Sequence, residues 1–231
     1  MSRAVPNAPR PSIIPPLQNG DHLTLAEFER RFDATPNLKK AELIEGVVYM
    51  PPPVSVDHGK PHGILAALLV IYSAATPGTD CGSDASVRLN QKNMPQPDAY
   101  LMILSGWGGQ SRISEDRYIE GAPELVGEVA VSSASYDLHD KLEAYRRNHV
   151  REYIVIRTLD SEIDYLILRG ETYDRLLPDQ EGIWRSECFP GLWIDGKSLL
   201  AGDTPAALDV LNRGIASPEH ANFVKCLAAK H

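Results

Sequence analysis

Glu124-Leu125-Val126-Gly127-Glu128-Val129-Ala130-Val131 is an apolar run with one carboxylate set inside it, and the reading of that acid decides the fold. A continuous apolar run of this length suits a central strand covered on both faces. A carboxylate within such a strand is costly unless it is paired or metal-bound, so Glu128 requires a partner. Upstream, Pro97-Asp98-Ala99-Tyr100-Leu101-Met102-Ile103-Leu104 is a second extended run, with an acid at its head. Downstream, Ser132-Ser133-Ala134-Ser135 breaks the strand. A helix is expected from there to Asn148, with Ser135 or Asp137 as cap and Leu138, Leu142 and Tyr145 as its apolar stripe. At about 100° per residue, Lys141 falls roughly 60° from Leu138 and faces the sheet, whereas Asp140 and Arg147 point away.

Two readings of these three side chains stand side by side. In the structural one, Glu128 pairs with an arginine such as Arg88 or with a buried amide, and Lys141 is a solvated lysine with a snorkelling stem. In the functional one, Asp98 and Glu128 share a Mg²⁺ ion, with the Val129 carbonyl or nearby backbone as a further oxygen ligand. Such an ion polarises a phosphodiester and acidifies a water, and Lys141 would position that water or offset charge on the phosphate oxygens.

The rest of the chain arranges itself around this stretch. Residues 1–22 form a proline-rich arm whose composition cannot repay the entropy of ordering. Thr24 and Glu27 have the form of a capping box, ahead of a short helix to about residue 34 that carries Leu25, Phe28 and Phe32. Residues 41–50 read as a bent strand or hairpin about Gly46. A largely buried helix follows from Gly63 to Ala75, and a half-buried strand over 79–90. Ser105 to Gly121 reads as a long loop. Three antiparallel strands, at 152–157, 163–168 and 172–177, complete the sheet, with Trp184 and Phe189–Trp193 covering one end. The expected organisation is a domain over 23–203 followed by a helical extension, 204–231, of two short helices parted near Ser217-Pro218.

Composition narrows the function. In 231 residues, 43 % hydrophobic, the formal net charge is −8, which argues against a surface that grips nucleic acid over its whole extent but leaves room for a local basic patch. Cys81, Cys188 and Cys226 are far apart and show no metal or disulfide spacing, as expected of reduced thiols in a cytoplasmic protein. No apolar run reaches the roughly 20 residues a membrane span requires. His58 and His62 are four apart, but the intervening residues lack the glutamate of a zinc-protease helix and Pro61 is expected to disrupt a helix there. His58 reads equally as a residue at a site mouth or as a capping or surface histidine. The serine cluster lacks a nucleophile elbow, and no phosphate-binding glycine loop is present.

Taken in order, Glu42-Leu43-Ile44-Glu45-Gly46, His58 before a helix, Pro97-Asp98, Ala122-Pro123-Glu124-Leu125-Val126-Gly127-Glu128-Val129, Asp137 with Lys141 and Tyr145, and Val150-Arg151-Glu152-Tyr153-Ile154-Val155 resemble the Uma-two family of restriction-endonuclease-like proteins, within the PD-(D/E)XK nuclease superfamily. The resemblance spans about residues 24–200. It implies an α/β fold with a mixed central sheet flanked by helices and a Mg²⁺-dependent endonuclease site, with Mn²⁺ as a possible substitute. DNA is the implied substrate, and the protein is often a homodimer. By position, Asp98 and Glu128 would be the metal ligands and Glu42 the acid supplied from an N-terminal element. His58 would be an auxiliary residue. The lysine usual two residues after the acid is absent, since Ala130 stands there, and Lys141 on the following helix would take its role. The alternatives carried alongside are an idle interaction module on a nuclease scaffold and a hydrolase of another phosphoester.

Overall fold

The computed structural model describes residues 14–131 and 136–231. The expected central strand is β8, Leu125–Ala130, buried along its whole length. It lies inside a six-stranded sheet of order β11-β10-β9-β8-β5-β3. Here β3 is Thr79–Gly82 and β5 is Ala99–Ile103. The meander is formed by β9, Glu152–Arg157, β10, Glu162–Arg169, and β11, Thr172–Arg175. Strands β8 and β9 are parallel and the other pairs antiparallel, so the sheet is mixed.

The two faces of the sheet are covered differently, and the period of two along β5 and β8 sorts their side chains. Ala99, Leu101, Leu125 and Val129 pack with Leu65, Leu68, Leu69 and Tyr72 of α2, Val56–Ala75. Gly127 is on this face too: a Cβ there would stand 2.6 Å from Leu65 Cδ2, so its glycine lets α2 lie close. Tyr100, Met102, Val126 and Ala130 face the other way, towards Tyr145, Tyr153 and Val155. Glu128 shares that second face. Fully burying each large aliphatic side chain contributes about 1.5–3 kcal/mol, so both layers drive the fold.

Several elements differ from the sequence reading, for local reasons. Helix α2 starts at Val56, ahead of Pro61. A proline near the start of a helix removes one backbone bond without ending it, so the expected disruption does not occur and His58 and His62 ride on one helix face, rings 5.6 Å apart. The strand expected over 79–90 is broken where Asp84 takes a positive φ of 52°. Its second half is β4, Val87–Arg88, in a separate three-stranded sheet with β6, Arg112–Ile113, and β7, Ile119–Glu120. The expected loop after Leu104 therefore contains a small hairpin, besides a 3₁₀ turn at Ser105–Trp107.

At α1, Leu25–Asp33, Thr24 Oγ1 accepts from the Glu27 amide at 3.4 Å. The Glu27 carboxylate bonds Arg30 and Arg31 instead, since two guanidinium groups one turn on outcompete a backbone amide. The 41–50 segment is a hairpin of β1, Glu42–Ile44, and β2, Val47–Tyr49, with Glu45 and Gly46 both at positive φ, as a tight primed turn requires.

After β8, a π-helical turn, Asp137–Lys141, runs into α3, Leu142–Arg147. Asp137 is thus inside the helical segment and not its cap, while Ser132 to Ser135 lie outside the described residues. Beyond the meander, β12, Ile183–Arg185, pairs with β13, Trp193–Asp195. The chain ends in α4, Gly196–Ala201, α5, Thr204–Ile215, and α6, Pro218–Ala228. Ala207, Leu211 and Leu227 from these helices join the core cluster of α2. No helix among the described residues is long and apolar enough to cross a membrane.

Candidate active site

The antiparallel register that pairs Ala99 with Gly127 brings Asp98, one residue before β5, opposite Glu128 on β8. Both acids are buried. Asp98 Oδ2 accepts the Val129 amide at 2.8 Å and faces His58 Nε2, on the first turn of α2, at 3.0 Å. A carboxylate can only accept, so Nε2 carries the proton in this contact. His58 Nδ1 is buried and has no hydrogen-bond partner among the described residues. Asp98 Oδ1 lies 3.4 Å from Lys40 Nζ. Burial pushes the Asp98 carboxyl up, but the His58 hydrogen bond, the Lys40 charge and the Val129 amide outweigh it and hold it well below the usual carboxylate range.

Glu128 finds its partners on the helix layer. Its Oε1 accepts from Lys141 Nζ and from the Tyr145 hydroxyl, each at 2.9 Å. Arg88, the sequence-level candidate for that pairing, instead bonds Glu29 and Asp116 and lies over the Tyr118 ring. It belongs to the sheet of β4, where its neighbours are already acidic. Lys141 Nζ also stands 3.0 Å from Glu42 Oε1 on β1 and 3.7 Å from Asp137 Oδ1. Glu42 Oε1 accepts the Gln96 amide at 2.7 Å as well.

The structure therefore brings together all five residues singled out from sequence: Glu42, His58, Asp98, Glu128 and Lys141. They come from β1, α2, the start of β5, β8 and the π-helical turn. Burial pushes the Glu128 carboxyl well up, the charges of Asp98, Asp137 and Glu42 add to this, and Lys141 works against it. Burial disfavours the Lys141 ammonium, yet Glu128, Glu42 and Asp137 raise its pKa well above the ordinary lysine value.

Three participants were not read as site residues. Helical spacing places Tyr145 in the apolar stripe and Asp137 at a cap, because spacing alone does not reveal which end of a tyrosine meets a carboxylate. Lys40 was not singled out. Its signal was the alternation Lys40, Glu42 leading into β1, which sets the two on one side of an extended segment. Burial lowers the Lys40 ammonium, and Asp98, Glu42, Glu128 and an Asp84 hydrogen bond raise it by more.

Glu42, Asp98, Glu128 and Asp137 supply more carboxylates than Lys40 and Lys141 supply ammonium groups. Among the described residues no three His, Cys, Asp or Glu side chains form a ready-made cage. A cation that retains several waters needs only one or two carboxylates, and Asp98 and Glu128 are the two that would supply them.

The model of the family Uma2, described as "Putative restriction endonuclease", matches residues 25–198. Among solved structures, the chain is similar to "a putative nuclease belonging to DUF820" from Anabaena variabilis, at 12 % identity and a TM-score of 0.60, over 78 % of this chain and 98 % of that one. At that identity the likeness shows the fold. No curated protein matches.

Proposed function

The chain belongs to the Uma2 family, and from that premise we propose that it is a metal-dependent endonuclease hydrolysing DNA phosphodiester bonds. The observation that carries this reading is the convergence of Asp98, Glu128 and Lys141 from separate elements into one cluster with more carboxylates than ammonium groups. Asp98 and Glu128 would hold Mg²⁺ or Mn²⁺. When bound, such an ion supplies Lewis acidity towards a phosphoryl oxygen and makes water a better nucleophile near neutral pH.

The protein's own residues set up that chemistry. His58 and the Val129 amide hold Asp98 anionic and fixed in direction. Lys141 and Tyr145 hold Glu128 through a single oxygen. Glu42 fixes Lys141 from β1. In the net reaction water adds to phosphorus, the ester P–O bond breaks, and a water proton ends on the leaving oxygen.

A second reading has its own support. Asp98 and Glu128 each have several donors within the chain, as an idle scaffold with a satisfied buried network would show. Calorimetric titration with Mn²⁺ beside a plasmid-cleavage assay separates the two, because a scaffold binds no ion at this cluster and leaves the plasmid intact. Cleavage of a simple aryl phosphodiester but not of DNA would point to a hydrolase of another phosphoester.

A further inference from the structure

Two lysines reach the acid cluster, and their surroundings differ. Lys141 stands at its floor. Its side chain is 5 % exposed, with carboxylate oxygens at 2.9, 3.0 and 3.7 Å from β8, β1 and the helical turn. The Tyr136 ring closes another side, 5.4 Å away. Among the described residues that ammonium is held by three carboxylates and a ring, and its side chain is almost wholly out of solvent, so a phosphate would compete with buried carboxylates to touch it.

Lys40 stands at the rim. Its side chain is 27 % exposed, and its ammonium lies 3.4 Å from Asp98 and 3.0 Å from Asp84, whose own side chain is 50 % exposed. A bond to so exposed a carboxylate is weak, and a long lysine stem can exchange it for a phosphate oxygen. Lys40 is thus a cation at the mouth, beside a proposed metal ligand, with one partner it can release.

We infer that Lys40, and not Lys141, is the catalytic residue that meets the phosphate oxygens, whereas Lys141 is a positioning residue that holds Glu42 and Glu128. The inference rests on the nuclease reading above. As water bonds to phosphorus and the ester P–O bond breaks, negative charge builds on the non-bridging and leaving oxygens. A fixed ammonium beside them stabilises the transition state more than the ground state. The ordinary nuclease lysine position holds Ala130, and an ammonium arriving from the residue before Ala41 fills that need from the open side of the site.

The test is single-turnover cleavage of a labelled DNA duplex with Mg²⁺ by the wild type and by K40Q, K40R and K141M, with Mn²⁺ affinity and melting temperature measured on each. The expected result is a loss of roughly 100-fold in the single-turnover cleavage rate for K40Q, the scale of removing one preorganised donor. Mn²⁺ affinity and melting temperature should be retained, and K40R should recover part of the rate. K141M should instead melt earlier and bind Mn²⁺ more weakly. K40Q cleaving at the wild-type rate overturns this inference alone. A K40Q loss matched by an equal loss of Mn²⁺ affinity also overturns it, since Lys40 would then be shaping the acids. A wild type that cleaves nothing overturns the nuclease reading and this inference together.

Discussion

Lys141 Nζ and Glu128 Oε1 lie 2.9 Å apart with both side chains almost wholly out of solvent, the pair being shared between a π-helical turn and the central strand of the sheet. Breaking such a pair from one side leaves an uncompensated buried charge, which typically costs about 3–5 kcal/mol. Lys141→Met should therefore lower unfolding stability by about that amount, read from the urea midpoint. The double variant with Glu128→Met should recover a substantial part of the loss. A K141M midpoint equal to wild type would show that the remaining acids neutralise themselves at no cost.

Tyr145 contributes through its hydroxyl. The bond to Glu128 is buried and its acceptor is a carboxylate, so Tyr145→Phe should cost about 1.5–3 kcal/mol. Because the ring stays packed against Tyr153 at 4.9 Å between centroids, the loss isolates the hydrogen bond. Urea unfolding with an unchanged m-value is the check, and a near-neutral Y145F would mean that Lys141 alone satisfies that oxygen.

A second buried acid, Glu152, serves the fold. Its carboxylate accepts from the Tyr165 and Ser186 hydroxyls and from the Glu187 and Cys188 amides, which ties β9 to the segment before β13. Glu152→Gln is isosteric but turns one acceptor into a donor facing donors. Leaving such groups unsatisfied costs about 1–3 kcal/mol each, so E152Q should unfold earlier while cleavage per folded molecule is unchanged. A stability equal to wild type would show that the amide rearranges freely.

His220 gives the protein an acid-sensitive joint. It is buried on α6, its Nε2 is 2.9 Å from Thr76 Oγ1, and its ring meets Tyr72. Burial lowers its pKa below the ordinary 6.5, against a smaller opposing backbone contact at Ile215. In the window between that lowered value and about 6.5 the unfolded chain binds more protons than the folded one. The contribution is therefore present above the unfolded pKa and lost as pH falls through that window. Melting temperature should drop on acidification from pH 7.5 towards pH 5.5, and the drop should be smaller in His220→Gln. An equal slope in both proteins would assign the acid sensitivity elsewhere.

How far this was legible from sequence depends on the residue. Glu128 could be singled out because an acid within an apolar strand contradicts its surroundings, and Asp98 because it heads a paired strand. Lys141 could be turned towards the sheet by helical spacing, although the turn that carries it is π-helical and brings Asp137 inwards beside it. The alternation of Lys40 with Glu42 sets the two on one side of the chain but does not show what the lysine meets. Its role depends on the β1–β2 hairpin docking near Asp98. The start of α2 differs from the sequence expectation because Pro61 is a strong breaker in isolation, whereas in place it is a buried residue in the second turn of the helix. The split of the 79–90 strand follows from Asp84 adopting a positive φ, which alternation of side chains does not signal.

The central claim, a metal-dependent nuclease site at Asp98 and Glu128, is tested most directly by the conversion of supercoiled plasmid to nicked and linear forms with Mg²⁺ or Mn²⁺. Wild type should be compared with Asp98→Asn and Glu128→Gln, with and without chelator. The account predicts cleavage by the wild type, its abolition by chelator, and its loss in both folded variants. Identical behaviour of wild type and D98N, whether both cleave or neither does, would contradict it.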